Sequence, residues 1–126
     1  MILDTDGMKP IYVQIAEWLE TEILGGNIPE EERIYSQYQL AEMFNINPAT
    51  AAKGLNILAD EGILFKKRGL GMFVSPGARE SILKKRRVQN LDRLLVELAR
   101  ESERLGVDDE EIIRMYREIR QKEREE

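Results

Sequence analysis

Between Ser36 and Ser75 the chain reads SQYQLAEMFNINPATAAKGLNILADEGILFKKRGLGMFVS, and the period of its apolar residues changes partway from helical to strand-like. Ser36, followed three residues later by Gln39, makes a capping box. Leu40, Met43 and Phe44 give the helix it opens a buried side. Asn45-Ile46 is a tight break. Asn47 then caps a second helix and Pro48 enters its first turn, where the missing N–H would be unpaired anyway. Ala51, Leu55, Leu58 and Ala59 form its inward stripe, and Glu61-Gly62 ends it. The next run, ILFKKRGLGMFVS, places apolar residues on both sides of Lys66-Lys67-Arg68 and of Gly69 and Gly71, which permit positive φ at a hairpin tip. Two short helices on a tight turn, then a basic hairpin, are the parts of a winged helix-turn-helix. The expected fold class is mainly α with a small β-hairpin wing, followed by two C-terminal helices.

The flanks complete that plan. Residues 1–9 read as an irregular lead-in, and a helix starts near Pro10, in its first turn. Tyr12, Ile15, Ala16, Leu19 and Ile23 define its apolar face, and Gly25-Gly26 stops it. The acidic loop NIPEEERIY then crosses the surface. Pro76-Gly77 breaks the wing, and a helix from about residue 79 places Val88, Leu91, Leu95, Leu98, Ser102 and Leu105 at alternating steps of three and four, the seam of a helical pair. Gly106 ends it. Asp108 and Glu111 make a second capping box, with Val107 and Ile112 as hydrophobic staple and Ile112, Tyr116 and Ile119 as the final apolar face. The expected division is a winged helix-turn-helix over residues 1–76 and a two-helix region over 77–126. The tail either folds back on its own domain or pairs with a second copy. A chain this short has little core to offer so much apolar helix, which favours a homodimer held by Leu91, Leu95, Leu98, Leu105, Ile112, Tyr116 and Ile119.

Charge is distributed unevenly. Residues 1–62 hold 3 basic and 11 acidic side chains, net −8; residues 63–87 hold 8 and 1, net +7; residues 88–126 hold 8 and 12, net −4. Salt screens fields beyond roughly 8–10 Å, so a basic band in an acidic chain still meets phosphate. The chain has neither cysteine nor histidine, which removes disulfides, thiolate chemistry, the commonest general base and the commonest metal ligand. No nucleophile–base pair, metal cluster or phosphate-binding glycine loop is evident, so neither an enzyme, a metal nor a cofactor is expected. The start MILDTDGMKP lacks the basic and apolar regions of a signal peptide, and no run of eighteen apolar residues spans a membrane. The expected location is the cytoplasm.

On the DNA-binding reading the second helix of the pair enters the major groove with Asn47, Ala49, Thr50 and Lys53 outward. Asn47 is open to two roles, adenine contact and helix cap. Thr50 offers a hydroxyl or a methyl, and Lys53 reaches guanine or phosphate. Ser36 and the first turn it caps suit a phosphate oxygen, and Tyr38 either joins them or packs. In the wing Lys66, Lys67 and Arg68 supply charge, while Gly69 and Gly71 let the backbone approach DNA. Lys84, Lys85, Arg86 and Arg87 form a second basic cluster, either a solvated face or further phosphate contacts.

PIYVQI near the start, SQYQLAEMFNINPATAAKGLNILADEGIL in the middle and KKRGLGMFV at the end together resemble the GntR family of bacterial transcription regulators. The opening and the two-helix tail look most like its YtrA-type subfamily. The resemblance covers roughly residues 9–75 and implies a winged-helix repressor that dimerises through its C-terminal helices on a palindromic operator, often of a transporter operon. It places Ser36, Asn47, Thr50, Lys53, Arg68, Gly69 and Gly71 at DNA-contact positions. About fifty residues after the wing are too few for the ligand-binding domain of larger relatives, and no residue pattern names a small-molecule effector. The family usually has arginine where Tyr38 stands, a lysine or similar residue at Leu70, threonine at Met72 and a polar residue at Ala49. Those departures, with the acidic first half, imply weaker or more salt-sensitive DNA binding, or an operator read with few direct base contacts. A competing reading, motivated by the acidic first half, is a winged-helix module that binds protein instead of DNA.

Overall fold

The computed structural model describes Leu3 and residues 8–125; the rest of the expected lead-in, residues 1–2 and 4–7, lies outside the described residues. Helices α1 (Ile11–Leu24), α2 (Gln37–Phe44) and α3 (Pro48–Asp60) precede an antiparallel hairpin, β1 (Leu64–Lys67) and β2 (Gly71–Val74). Then follow α4 (Ala78–Arg86), a π-helical turn (Arg87–Leu91), α5 (Asp92–Leu105) and α6 (Asp109–Glu125). The fold class expected from sequence is the one observed. The chain divides into two compact units, residues 1–85 and 86–126.

In the first unit α3 packs against both α1 and α2. Ile15, Leu19, Leu40, Ala51, Leu58 and Val74 are fully buried at its centre. Trp18 joins this core at its edge, its ring edge-on to Phe44 at 4.9 Å and tilted to Tyr35 at 6.0 Å. Ala78 and Ile82 of α4 also belong to the core, so the first unit extends past residue 76.

The local signals act as chain chemistry dictates, with corrections. Ser36 Oγ accepts from Gln39 N–H at 3.1 Å while Gln39 Oε1 accepts from Ser36 N–H at 2.8 Å, completing the capping box. Asn45 closes α2 in the left-handed region at φ 54°, a conformation Asn tolerates. Pro10 is the N-cap of α1, one residue before the helix, with ψ near 152°. Met43 is exposed; α2 is short, and Leu40 with Ala41 already fills its inner face. The loop after α1 does more than cross the surface. Ile28 and Ile34 are buried, and the segment turns back along β2: Glu31 N–H donates to Val74 O at 2.7 Å, Ile34 N–H to Met72 O at 2.9 Å, and Arg33 pairs with Phe73.

The seam helix begins at Ala78 and is interrupted, because a π-helical turn over 87–91 carries Asp92 N–H to Arg87 O. That turn adds one residue to the helical repeat at Val88, the first position of the expected stripe. Within the second unit, Gly106 ends α5 at φ 69°, and Asp108 Oδ1 accepts from Glu111 N–H at 2.9 Å. No residue of α5 or α6 is buried. Among the described residues no helix is long and apolar enough to cross a membrane.

Candidate nucleic-acid interface

Helix α3 is held by its inner face and presents its N-terminal turns outward. Ala51, Gly54, Leu55 and Leu58 are buried, whereas Asn47, Ala49, Lys53 and Asn56 are exposed and Thr50 is half-buried. Asn47 Oδ1 accepts from Ala49 N–H at 2.8 Å, so the capping role is the one this side chain fills here. Its amide nitrogen remains available for a donor contact. The ammonium of Lys53 lies 5.0 Å over the ring of Tyr12, a cation–π contact that steers it along the helix surface without burying it.

Gly54, which the apolar pattern does not single out, sets how closely this helix approaches α1. A Cβ there would lie 2.9 Å from Tyr12 O and 3.0 Å from Ile15 Cγ2. A glycine inside a helical pattern is the available sequence signal, since it costs about 1 kcal/mol against alanine and needs a reason.

On α2, Tyr38 is exposed, so it is a surface phenol and not a packing residue. Ser36 and Gln39 line an open groove of about 630 Å³ together with Glu32 and Arg33. Their N-terminal turn therefore borders the loop that runs along the wing.

The wing alternates its residues between faces. Leu64 and Val74 go inward; Phe65 and Phe73 pair across the hairpin on the other face, ring centroids 6.0 Å apart. Lys66, Lys67, Arg68, Gly69 and Leu70 are exposed at the end of the hairpin. Lys67 differs from its neighbours, because its ammonium sits 4.3 Å over Phe73 and 5.7 Å over Phe65. Gly69 (φ 77°) and Gly71 (φ 108°) occupy backbone that other residues rarely adopt.

The four-residue basic cluster on α4 and the turn beyond it does not act as one surface. Lys85 Nζ is 2.8 Å from Glu20 Oε2 on α1 and 2.8 Å from Glu61 Oε2 at the end of α3. Burial lowers its pKa, but the two carboxylates outweigh it and hold the ammonium above its ordinary value of 10.5. Lys85 is thus a tie between helices and supplies little charge outward. Lys84 and Arg87 are exposed.

In the second unit Leu91, Leu95, Leu98, Leu105, Tyr116 and Ile119 are 42–70 % exposed, and Ile112 is half-buried. Leu94, Val96, Ile113 and Met115 add further exposed apolar surface. So much apolar area on two helices is unusual for a surface facing only water.

A family model of bacterial regulatory proteins, gntR family, matches residues 11–74. The HTH-type transcriptional repressor NagR of Bacillus subtilis is 38 % identical over 74 residues, which cover 59 % of this chain and 30 % of NagR. The HTH-type transcriptional repressor YtrA of the same organism is 26 % identical over 117 residues, covering 93 % of this chain and 89 % of YtrA. The chain thus spans under a third of NagR but most of YtrA. A GntR-family crystal structure from Bacteroides thetaiotaomicron superposes with a TM-score of 0.80 at 33 % identity, covering 90 % of this chain and 99 % of that one. AraR(DBD), solved in complex with operator ORX1, matches with a TM-score of 0.54 at 26 % identity, covering 60 % of this chain and 93 % of that one.

Proposed function

The chain belongs to the gntR family of bacterial regulatory proteins, and on that premise we propose that it is a cytoplasmic, dimeric repressor of transcription that binds a palindromic operator. The observation that carries this reading is the pairing of an α3 held by its inner face with a cationic wing. Exposed Ala49 and Lys53 and half-buried Thr50 stand on the first turns of α3; exposed Lys66 and Arg68 stand on the hairpin. Helix α3 reads base edges in the major groove, and the wing and the Ser36 turn hold phosphates. The tail supplies the dimer through Leu91, Leu95, Leu98, Leu105, Ile112, Tyr116 and Ile119, which the single chain leaves largely uncovered. The likeness to a domain solved on an operator and to two proteins named as repressors supports the same reading. A transporter operon is the proposed target.

Footprinting on the promoter of the chain's own operon tests it. Two related half-sites should be protected on one face of the duplex, about one or two helical turns apart. Lys53→Glu and Arg68→Glu should abolish protection. Regulation in the cell that survives both charge reversals would favour the protein-binding module instead.

A further inference from the structure

We infer that the outer face of the wing carries a phosphate seat centred on Gly71, in which Arg33 and Lys67 together hold one backbone phosphate of bound duplex DNA. The inference rests on the DNA-binding reading and adds to it a residue from outside both the helix pair and the hairpin.

Residues along a pleated strand alternate between faces. Because Leu64 and Val74 are buried, Phe65, Lys67, Gly71 and Phe73 share the opposite face. Arg33 pairs with Phe73 and so joins that face as an extra strand position beside β2. Its guanidinium lies where a side chain at Gly71 would begin: a Cβ there would be 3.1 Å from Nε and 3.4 Å from Nη2. Lys67 is the cross-strand partner of Gly71. Two cationic residues therefore flank one glycine on this face, from the segments on either side of β2. Both are exposed, and neither makes an ion pair with a carboxylate among the described residues.

Like charges gathered on one face of a sheet repel. An anion between them reverses the sign of that interaction. A guanidinium fork suits the paired oxygens of a phosphodiester and an ammonium adds a point charge. The rings of Phe65 and Phe73 limit where the Lys67 ammonium goes, so less is lost when it is fixed. Lys66 and Arg68 stand on the same hairpin, and Arg33 shares its groove with Ser36 and Gln39. Glu32 also lines that groove, while Lys66 lies on the opposite face of the hairpin from Lys67. Ser36, Gln39 and Arg68 are the further donors nearby, and their spread fits a polyanion better than a single free ion.

The test is fluorescence anisotropy on a labelled duplex from the promoter of the chain's own gene, across a salt series, with melting curves for every variant. Arg33→Gln should weaken binding about 3–10-fold near physiological salt, Arg33→Lys should recover most of it, and both should melt like the wild type. In the dimer, the double variant Arg33→Gln/Lys67→Gln should lower the log–log salt slope by about two, the signature of one shared phosphate lost from each protomer. A fall of about four, meaning two independent phosphates on each protomer, overturns the shared seat. Arg33→Gln binding like wild type while Lys66→Gln or Arg68→Gln weakens binding overturns it with DNA binding intact. A wild type that shows no salt-dependent binding removes the DNA-binding reading itself, and the seat with it.

Discussion

Replacing Lys85 by methionine probes what fixes α3 on its scaffold. The Lys85 ammonium touches Glu20 and Glu61, each at 2.8 Å. The two partners differ in burial: the Glu20 side chain is 2 % exposed and that of Glu61 33 %, with Lys85 itself at 21 %. Removing one partner of a buried pair costs about 3–5 kcal/mol, whereas exposed pairs contribute about 0–1. Water still reaches the ammonium, so Lys85→Met should cost about 2–3 kcal/mol and Glu61→Gln about 0.5. In a unit of this size the first is a fall in Tm of roughly 10–20 °C by calorimetry. A cycle with Glu20→Gln should give a coupling of at least about 1 kcal/mol. The pH dependence has a definite sign. A pKa raised by folding contributes stability that is fully present below the unfolded value and is lost as pH rises through the folded one. The gap between wild type and Lys85→Met should therefore hold at neutral pH and narrow above about 10.5. Melting of Lys85→Met within about 2 °C of wild type, with no coupling to Glu20, would refute the claim that this tie holds the buried carboxylate.

Three further outcomes follow from other residues. Gly54→Ala gains about 1 kcal/mol of helix propensity but forces α3 off Tyr12 O, an overpacking cost of about 1–3 kcal/mol. Denaturant unfolding should show net destabilisation near 1 kcal/mol, and a stabilised variant would show that the close approach is not needed. Tyr38→Arg, at an exposed site, should raise DNA affinity about 3–10-fold and steepen the salt slope, through one added charge-assisted phosphate contact. Equal binding at matched salt would count against the importance of that departure. Leu95→Glu with Leu98→Glu should convert the proposed dimer to a monomer in sedimentation; an unchanged mass would place the interface elsewhere.

Local chemistry explains which parts could be read from sequence. The caps at Ser36 and Asn47 and the glycines at 25, 26, 69 and 106 act through neighbours a few residues away, so short motifs sufficed. The helix pair and the hairpin followed from period alone. What escaped depends on partners distant in the chain. Residues 31–34 pair with β2 through backbone groups, so Glu31, Glu32 and Arg33 carry no apolar alternation to announce it. Buried Ile28 and Ile34 on either side were the available hint. Lys85 looked like one cation of four because Glu20 and Glu61 lie 65 and 24 residues away. The π-helical turn left no trace in a stripe whose steps of three and four continue through it.

The salt dependence of duplex binding by the unmodified protein bears most directly on the account. On the proposed reading Lys53, Lys66, Arg68 and the Arg33–Lys67 seat would make up to four phosphate contacts per protomer, with Lys53 divided between phosphate and base. At about 0.9 per phosphate, a dimer on two half-sites should give a log–log slope of about −5 to −7. A slope shallower than about −2, or no binding to its own promoter at low salt, would contradict it.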